Sequence, residues 1–186
     1  MIVCYGDSIT AGYGASYGYP ERLQSTLNKL GYHYLVKNEG TNGATTKDAL
    51  AGLPSILRMR PDIVIVDFGG NDAYFHFPVE QTRQNLETIL GRLEEAHAKV
   101  ILAGMSLPPE YGADYIRAFE KMYSDEAAKH GVAFIPDVYK DMMHVPGALQ
   151  GDGIHPTAKG ADLLAADVLA TLKPILNEET SSTRTP

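Results

Sequence analysis

The sequence predicts a three-layer α/β/α fold, in which helices cover both faces of a five-stranded parallel sheet. Two observations lead to this prediction. Apolar runs rich in β-branched residues alternate with amphipathic stretches along the chain, which is the pattern of strands connected by helices. The runs at 63–66 and 100–103 are apolar at consecutive positions, which is typical of parallel strands covered on both faces.

The first elements are clear in the sequence. The apolar run Ile2–Tyr5 predicts the first strand. A helix is expected over 19–30, because Pro20 lies in its first turn and Gly31 lies just beyond its end. A shorter second strand is expected at 33–37.

The rest of the chain continues this alternation. A helix over 47–59 carries three leucines on one face, although Gly52 and Pro54 within it weaken the helical pattern. The later strands and the apolar stripes of the later helices lie at 63–66, 86–93, 100–103, 115–122, 132–135 and 164–176. We therefore expect a flavodoxin-like sheet, with the loops after its strands gathered along one edge.

Length and composition indicate one globular domain. The chain has 186 residues, of which 44% are hydrophobic and 21% charged. We expect a single domain over 1–176 and a polar, disordered tail over 177–186. The net charge of −7 provides no basic surface for nucleic acid, so no nucleic-acid partner is expected. No apolar stretch reaches the roughly 20 residues of a transmembrane helix.

The first residues of the chain bear on the cellular location of the protein. Cys4 is the only cysteine, which excludes an intrachain disulfide, and its place in a strand favours a core residue over a nucleophile. Met1 is followed directly by this strand, without a basic or apolar leader. The sequence as it stands predicts a cytoplasmic protein, or a periplasmic or secreted one from which a signal peptide has been removed.

The first candidate nucleophile lies where the first strand ends, in Gly6-Asp7-Ser8. A hydroxyl at the carboxyl end of a buried strand occupies the edge where open α/β sheets bind ligands. The alternative is that Ser8 or Thr10 only caps a following helix. Ser16 lies in Gly14–Gly18, which matches the G-x-S-x-G elbow, but no strand precedes it and the elbow requires one.

A candidate base lies on the same edge, in the segment Gly151–Pro156. Asp152 precedes His155 by three residues, so its carboxylate can reach Nδ1 of the ring and leave Nε2 free to accept a hydroxyl proton. The alternative is that both are ordinary loop residues. His76 and His144 also lie on carboxyl-side loops and remain rival bases.

Acyl transfer also needs hydrogen-bond donors directed at the developing oxyanion. Three candidates follow the first three strands: the backbone N–H groups of Ser8 and Gly43, and the side-chain amide of Asn71. Taken singly, Gly43 is a turn glycine and Asn71 a turn or cap residue. Together with a serine nucleophile they predict an oxyanion hole.

In order and spacing, these residues resemble the four sequence blocks of the SGNH, or GDSL-type, hydrolases. The blocks are Gly6-Asp7-Ser8, the loop ending in Gly43, Gly69–Asp72 and Asp152–His155. The resemblance covers the chain from Ile2 to Leu176 and is strongest to the bacterial acyl-CoA thioesterase, lysophospholipase and arylesterase branch.

This resemblance implies a residue-by-residue assignment. Ser8 is the nucleophile, Asp152 and His155 complete the triad, and Ser8, Gly43 and Asn71 bind the oxyanion. The second block departs from the pattern of this branch, because Asn42 precedes the glycine where the branch more often has Ser. Gly40 also competes with Gly43 as the hydrogen-bond donor.

The expected function is a serine ester hydrolase that needs no metal or cofactor and acts on a small-molecule acyl ester or thioester. Esterase, arylesterase, thioesterase and lysophospholipase activities all fit the resemblance. Apolar side chains on the carboxyl-side loops are expected to line the substrate site, namely Phe75, Phe77, Leu107, Pro108, Tyr111 and Met143.

Two alternatives remain open at this point. A carbohydrate or lipid acetylesterase would use the same triad but would need a small acyl pocket and a polar groove. A flavodoxin-like binding module could cradle a phosphate with Ser8 and Thr10, but it leaves Asp152 and His155 unexplained.

Overall fold

A computed structural model describes the backbone over residues 1–182 and the side chains over 1–177, and it confirms the α/β/α fold. The strands are β1 (Ile2–Gly6), β2 (Val36–Gly40), β3 (Ile63–Asp67), β4 (Lys99–Ala103) and β5 (Ala133–Ile135). They form one parallel sheet in the order β2-β1-β3-β4-β5. The polar loops that follow the strands therefore meet at one edge of the sheet.

Helices form a layer on each face of this sheet. They are α1 (Ser8–Ala11), α2 (Tyr19–Lys29), α3 (Thr46–Arg58), α4 (Gly70–Tyr74), α5 (Val79–Glu95), α6 (Ala113–His130) and α7 (Ala158–Ser182). On one side α2 packs against α7, and on the other α5 packs between α3 and α6. Every residue of β1 and β3 is buried between these layers, which explains why both strands are apolar without alternation.

The second strand begins three residues later than the sequence predicted. The side chain of Gln24 accepts a hydrogen bond from the N–H of Val36 at 2.7 Å and donates to the carbonyl of Tyr34 at 2.9 Å. These bonds tie the segment at the start of β2 to α2. The strand position therefore depends on a tertiary contact that periodicity cannot reveal.

The helix α3 is continuous despite Gly52 and Pro54. A Cβ at position 52 would lie 2.8 Å from the hydroxyl oxygen of Tyr5, so the glycine allows this tyrosine to pack against the helix. The same hydroxyl donates a hydrogen bond to the carbonyl of Ala49. A tertiary contact here outweighs the weak helix propensity of the two residues.

The carboxyl-terminal helix passes the predicted boundary of the domain. The backbone of α7 continues through Ser182, whereas the tail was expected from residue 177. Residues 183–186 of that tail lie outside the described residues. Between residues 1 and 182, no helix combines the length and apolarity that a membrane span requires.

Candidate active site

Ser8 is held at the carboxyl end of β1 as the first residue of α1. This short helix forms because the carboxylate of Asp7 caps it, accepting the N–H of Ile9 at 3.0 Å. Gly6 allows the sharp turn: a Cβ there would lie 2.1 Å from Oγ1 of Thr10 and 2.8 Å from the backbone oxygen of Asp67. The GDS motif thus positions one hydroxyl above the sheet.

The segment between β5 and α7 brings His155 and Asp152 to this serine. Nε2 of His155 lies 2.9 Å from Oγ of Ser8, and Nδ1 lies 2.7 Å from Oδ2 of Asp152. A carboxylate only accepts hydrogen bonds, so Nδ1 carries the proton and Nε2 accepts the hydroxyl of the serine. The three residues form the hydrogen-bonded chain of a general-base-activated nucleophile.

The charge on Asp152 is stabilised by its neighbours. The hydrogen bond from His155, followed by those from the backbone N–H groups of Ile154 and His155, lowers the pKa of Asp152 to about 2. On the opposite side, the ring of Tyr13 packs against that of His155 with centroids 4.8 Å apart. The imidazole is therefore fixed both by hydrogen bonding and by ring packing.

Among the described residues, no hydrogen bond joins any of the rival residues to this arrangement. Ser16 is exposed in the loop between α1 and α2, with no strand before it. The ring of His76 packs on Tyr111 at 5.5 Å, and His144 is exposed. Within the described residues, no group of three or more His, Cys, Asp or Glu side chains is arranged to hold a metal ion.

The three predicted oxyanion donors differ in how they are engaged. The backbone N–H groups of Ser8 and Gly43 make no hydrogen bond within the described part of the chain, whereas that of Gly40 is bound to Oδ1 of Asn38 at 3.0 Å. The amide nitrogen of Asn71 lies 2.9 Å from the carbonyl oxygen of Ala44 and 3.2 Å from Oδ2 of Asp7. Of the two glycines that competed for this role, Gly43 has the free N–H and Gly40 does not.

Buried carboxylates beneath the nucleophile were not singled out from the sequence. Burial, reinforced by the charge of Asp67, raises the pKa of Asp7 well above its ordinary value. Burial also raises the pKa of Asp67 to about 6, although a 2.8 Å hydrogen bond donated by Oγ1 of Thr10 partly offsets this rise. Oδ1 of Asp67 is buried without a hydrogen-bond partner. An acid at the end of an apolar strand would ordinarily be expected at the surface.

A cavity of about 560 Å³ opens beside Ser8, Asn71 and His155. It is lined by four of the predicted apolar residues, Leu107, Pro108, Tyr111 and Met143. Six further apolar residues that were not predicted also line it, namely Ile9, Tyr74, Met105, Pro109, Tyr139 and Ile154.

Phe75 and Phe77, also predicted, are not among the residues that line the cavity, and they stack on each other with centroids 5.8 Å apart. Tyr74 is the last residue of α4, whereas Phe75 caps the end of this helix and packs on Phe77 instead of lining the cavity.

Comparisons with known proteins agree with this fold. Residues 4–163 match a model of the GDSL-like lipase/acylhydrolase family. The chain is 38% identical over 178 residues to esterase TesA of Pseudomonas aeruginosa, covering 94% of this chain and 89% of that protein. It is 33% identical to thioesterase 1/protease 1/lysophospholipase L1 of Escherichia coli, covering 96% of this chain and 86% of that protein. A crystal structure of TesA has a TM-score of 0.88 at 38% identity, covering 93% of this chain and 98% of that one.

Proposed function

The chain belongs to the GDSL-like lipase/acylhydrolase family, and we propose that this ester hydrolase works through an acyl-enzyme on Ser8, with His155 and Asp152 completing its triad. One observation supports the assignment above all others. Oγ of Ser8, the ring of His155 and the carboxylate of Asp152 are linked by contacts of 2.9 and 2.7 Å.

In the first half-reaction, Oγ of Ser8 attacks the ester carbonyl while Nε2 of His155 takes the hydroxyl proton. The carboxylate of Asp152 stabilises the imidazolium that forms. The imidazolium then protonates the leaving alkoxide or thiolate, which departs and leaves the acyl group on Ser8. In the second half-reaction, His155 deprotonates a water that attacks this acyl group, and the serine recovers its proton.

The developing oxyanion is bound by the N–H groups of Ser8 and Gly43 and by the amide of Asn71. The two backbone donors support this role because both are unoccupied within the described residues. The amide nitrogen of Asn71 makes two contacts, and the one to Asp7 is the longer, at 3.2 Å. An oxyanion can replace Asp7 as the acceptor while the shorter hydrogen bond to Ala44 is kept, which supports the role of Asn71 as a donor. Such donors act mainly in the transition state.

The cavity favours a substrate with an extended apolar acyl chain. About 560 Å³ lined by leucine, isoleucine, methionine and tyrosine side chains is more than an acetyl group needs. This argues against the acetylesterase alternative. The phosphate-binding alternative is disfavoured because the hydroxyl of Ser8 is hydrogen-bonded to His155. The relatives named an esterase and a thioesterase/lysophospholipase are consistent with acyl substrates.

A series of p-nitrophenyl esters of increasing chain length tests this proposal, with acyl-CoA and lysophospholipid measured in parallel. We expect kcat/KM to rise from acetyl to medium-chain esters. Leu107→Trp, which adds bulk inside the cavity, is expected to shift the optimum to shorter chains. Leu35→Trp, at the opposite edge of the sheet, serves as the matched control and is expected to leave it unchanged. An optimum at acetyl in the unmodified enzyme would favour an acetylesterase instead.

A further inference from the structure

Exposed apolar side chains are concentrated around the mouth of the active-site cavity. Seven large apolar side chains are exposed among the described residues, and five of them lie here. These five, which we call the apolar collar, are Tyr13, Tyr74, Phe75, Met143 and Ile154.

Contacts place each member of the collar at this mouth. Tyr74, Met143 and Ile154 line the cavity with their inner surfaces. Phe75 packs edge-on against Tyr74 with centroids 5.3 Å apart, and Tyr13 packs on the ring of His155. Even so, the ring of Phe75 remains 55% exposed and that of Tyr74 63% exposed. The collar therefore extends the apolar wall of the cavity outward into solvent.

The other two exposed apolar residues lie at the opposite edge of the sheet. Leu30 follows the end of α2, which runs back from the carboxyl edge, and Leu35 immediately precedes β2. They are comparably exposed, at 51% and 56%. Single exposed leucines are ordinary on protein surfaces, whereas a cluster at a substrate entrance marks an interaction site. Leu35 thus provides an internal control for exposure without clustering.

The charges near the collar indicate what kind of surface it fits. No lysine or arginine lies within two positions of any collar residue. Of the acids within that distance, Asp72 is buried, Asp152 is hydrogen-bonded to His155, and Asp141 lies beside Asp167 of α7. With a net charge of −7 on the whole chain, an anionic surface would be repelled and no local basic patch would compensate.

We propose that the apolar collar binds the surface of aggregated neutral or zwitterionic lipid, such as a micelle or a phosphatidylcholine vesicle. The collar side chains enter the apolar layer, and an ester at that surface passes its acyl chain into the cavity without crossing bulk water. The delivery step rests on the proposed function of the same site, whereas binding to the aggregate does not require catalysis.

The chain contains no tryptophan, so one introduced indole reports on its own surroundings. Phe75→Trp and Leu35→Trp are each combined with Ser8→Ala, so that no lipid is consumed, and titrated with phosphatidylcholine vesicles. We expect the emission of the Phe75→Trp protein to shift to shorter wavelength and that of Leu35→Trp to stay unchanged. No shift at position 75, equal shifts at both positions, or stronger binding to phosphatidylglycerol vesicles would each overturn the proposal.

An activity measurement separates the collar from the triad. Phe75→Ser and Leu35→Ser are assayed on soluble p-nitrophenyl butyrate and on lysophosphatidylcholine micelles. We expect Phe75→Ser to lower the ratio of micellar to soluble kcat/KM by about fivefold or more, since an aromatic anchor is lost, and Leu35→Ser to keep that ratio. An unchanged ratio in Phe75→Ser would contradict the collar. Failure of the unmodified enzyme on the soluble ester would instead contradict the proposed function, and the fluorescence titration would be unaffected.

Discussion

Ser8 and His155 lie 147 positions apart in the chain, yet Nε2 of the histidine is 2.9 Å from Oγ of the serine. The amide of Gln150 joins the two loops that carry them, donating to the backbone oxygens of Tyr13 at 2.7 Å and Pro156 at 3.0 Å. The parallel sheet brings both loops to one edge, and Gln150 sets their spacing.

Gln150→Ala is therefore expected to lower kcat by about tenfold to a hundredfold, because small displacements of a catalytic base are costly. The hydrogen bond to Tyr13 lies at the exposed surface, so only a small fall in melting temperature is expected. Steady-state kinetics and thermal unfolding on one preparation check this. A large loss of stability with unchanged kcat would assign Gln150 to folding rather than to positioning of the base.

Asn71→Ala is expected to lower kcat by about 10²–10³ with little change in KM, because an oxyanion donor acts in the transition state. The substitution also leaves the buried carbonyl of Ala44 without its partner, at a cost of about 1–3 kcal/mol in stability. Asn85→Ala is the matched control, since its amide donates to Thr46 outside the cavity. Similar kcat values for the two folded variants would remove Asn71 from the oxyanion hole.

Asp152 has a pKa of about 2, so it stays ionised above that pH in the folded enzyme. Its pKa is below the unfolded value of about 3.9, so the associated stability is present above that value and is lost as the pH falls toward 2. We expect Asp152 to contribute no ionisation to the kcat/KM profile between pH 4 and 9. Asp152→Asn is expected to lower kcat by about 10⁴, because the amide disturbs the tautomer and orientation of the ring. A carboxylate ionisation within this range that is absent from the Asp152→Asn profile would contradict this assignment.

Asp67 behaves in the opposite direction, because its folded pKa of about 6 lies above the unfolded value. Below about pH 4 this carboxyl group is protonated in both the folded and the unfolded state, so it does not lower the stability. As the pH rises from about 4 through 6, the group ionises more readily in the unfolded state, and the free energy of unfolding falls by roughly 2–3 kcal/mol. Asp67→Asn is expected to flatten this decline of stability with pH, measured as melting temperature against pH. Asp125→Asn removes an exposed carboxylate as the control. Parallel curves for the Asp67 variant and the unmodified protein would refute the prediction.

Much of the fold could be predicted because buried parallel strands and amphipathic helices leave strong local patterns. The polar residues of the site were also predictable, since Ser8, Asn71 and His155 follow strands whose carboxyl ends meet. The displaced start of β2 was not predictable, because it depends on the side chain of Gln24. Neither were the short helices α1 and α4, which have too few residues to show a period.

The residues that line the substrate cavity could likewise be predicted only in part. The aromatic loop after β3 was correctly placed at the rim, but choosing between neighbours requires the orientation of α4. Tyr74 turns into the cavity and Phe75 turns out of it. Burial of Asp67 likewise depends on a contact with Thr10 across Gly6, and no local pattern encodes that contact.

The most direct test of the account is covalent labelling with a fluorophosphonate ester, with the modified residue located by peptide mass spectrometry. We expect a single adduct on Ser8, loss of labelling and of ester hydrolysis in Ser8→Ala, and full labelling in Ser16→Ala. An adduct on Ser16 or any other serine, or labelling that persists in Ser8→Ala, would contradict the assignment of Ser8 as the nucleophile.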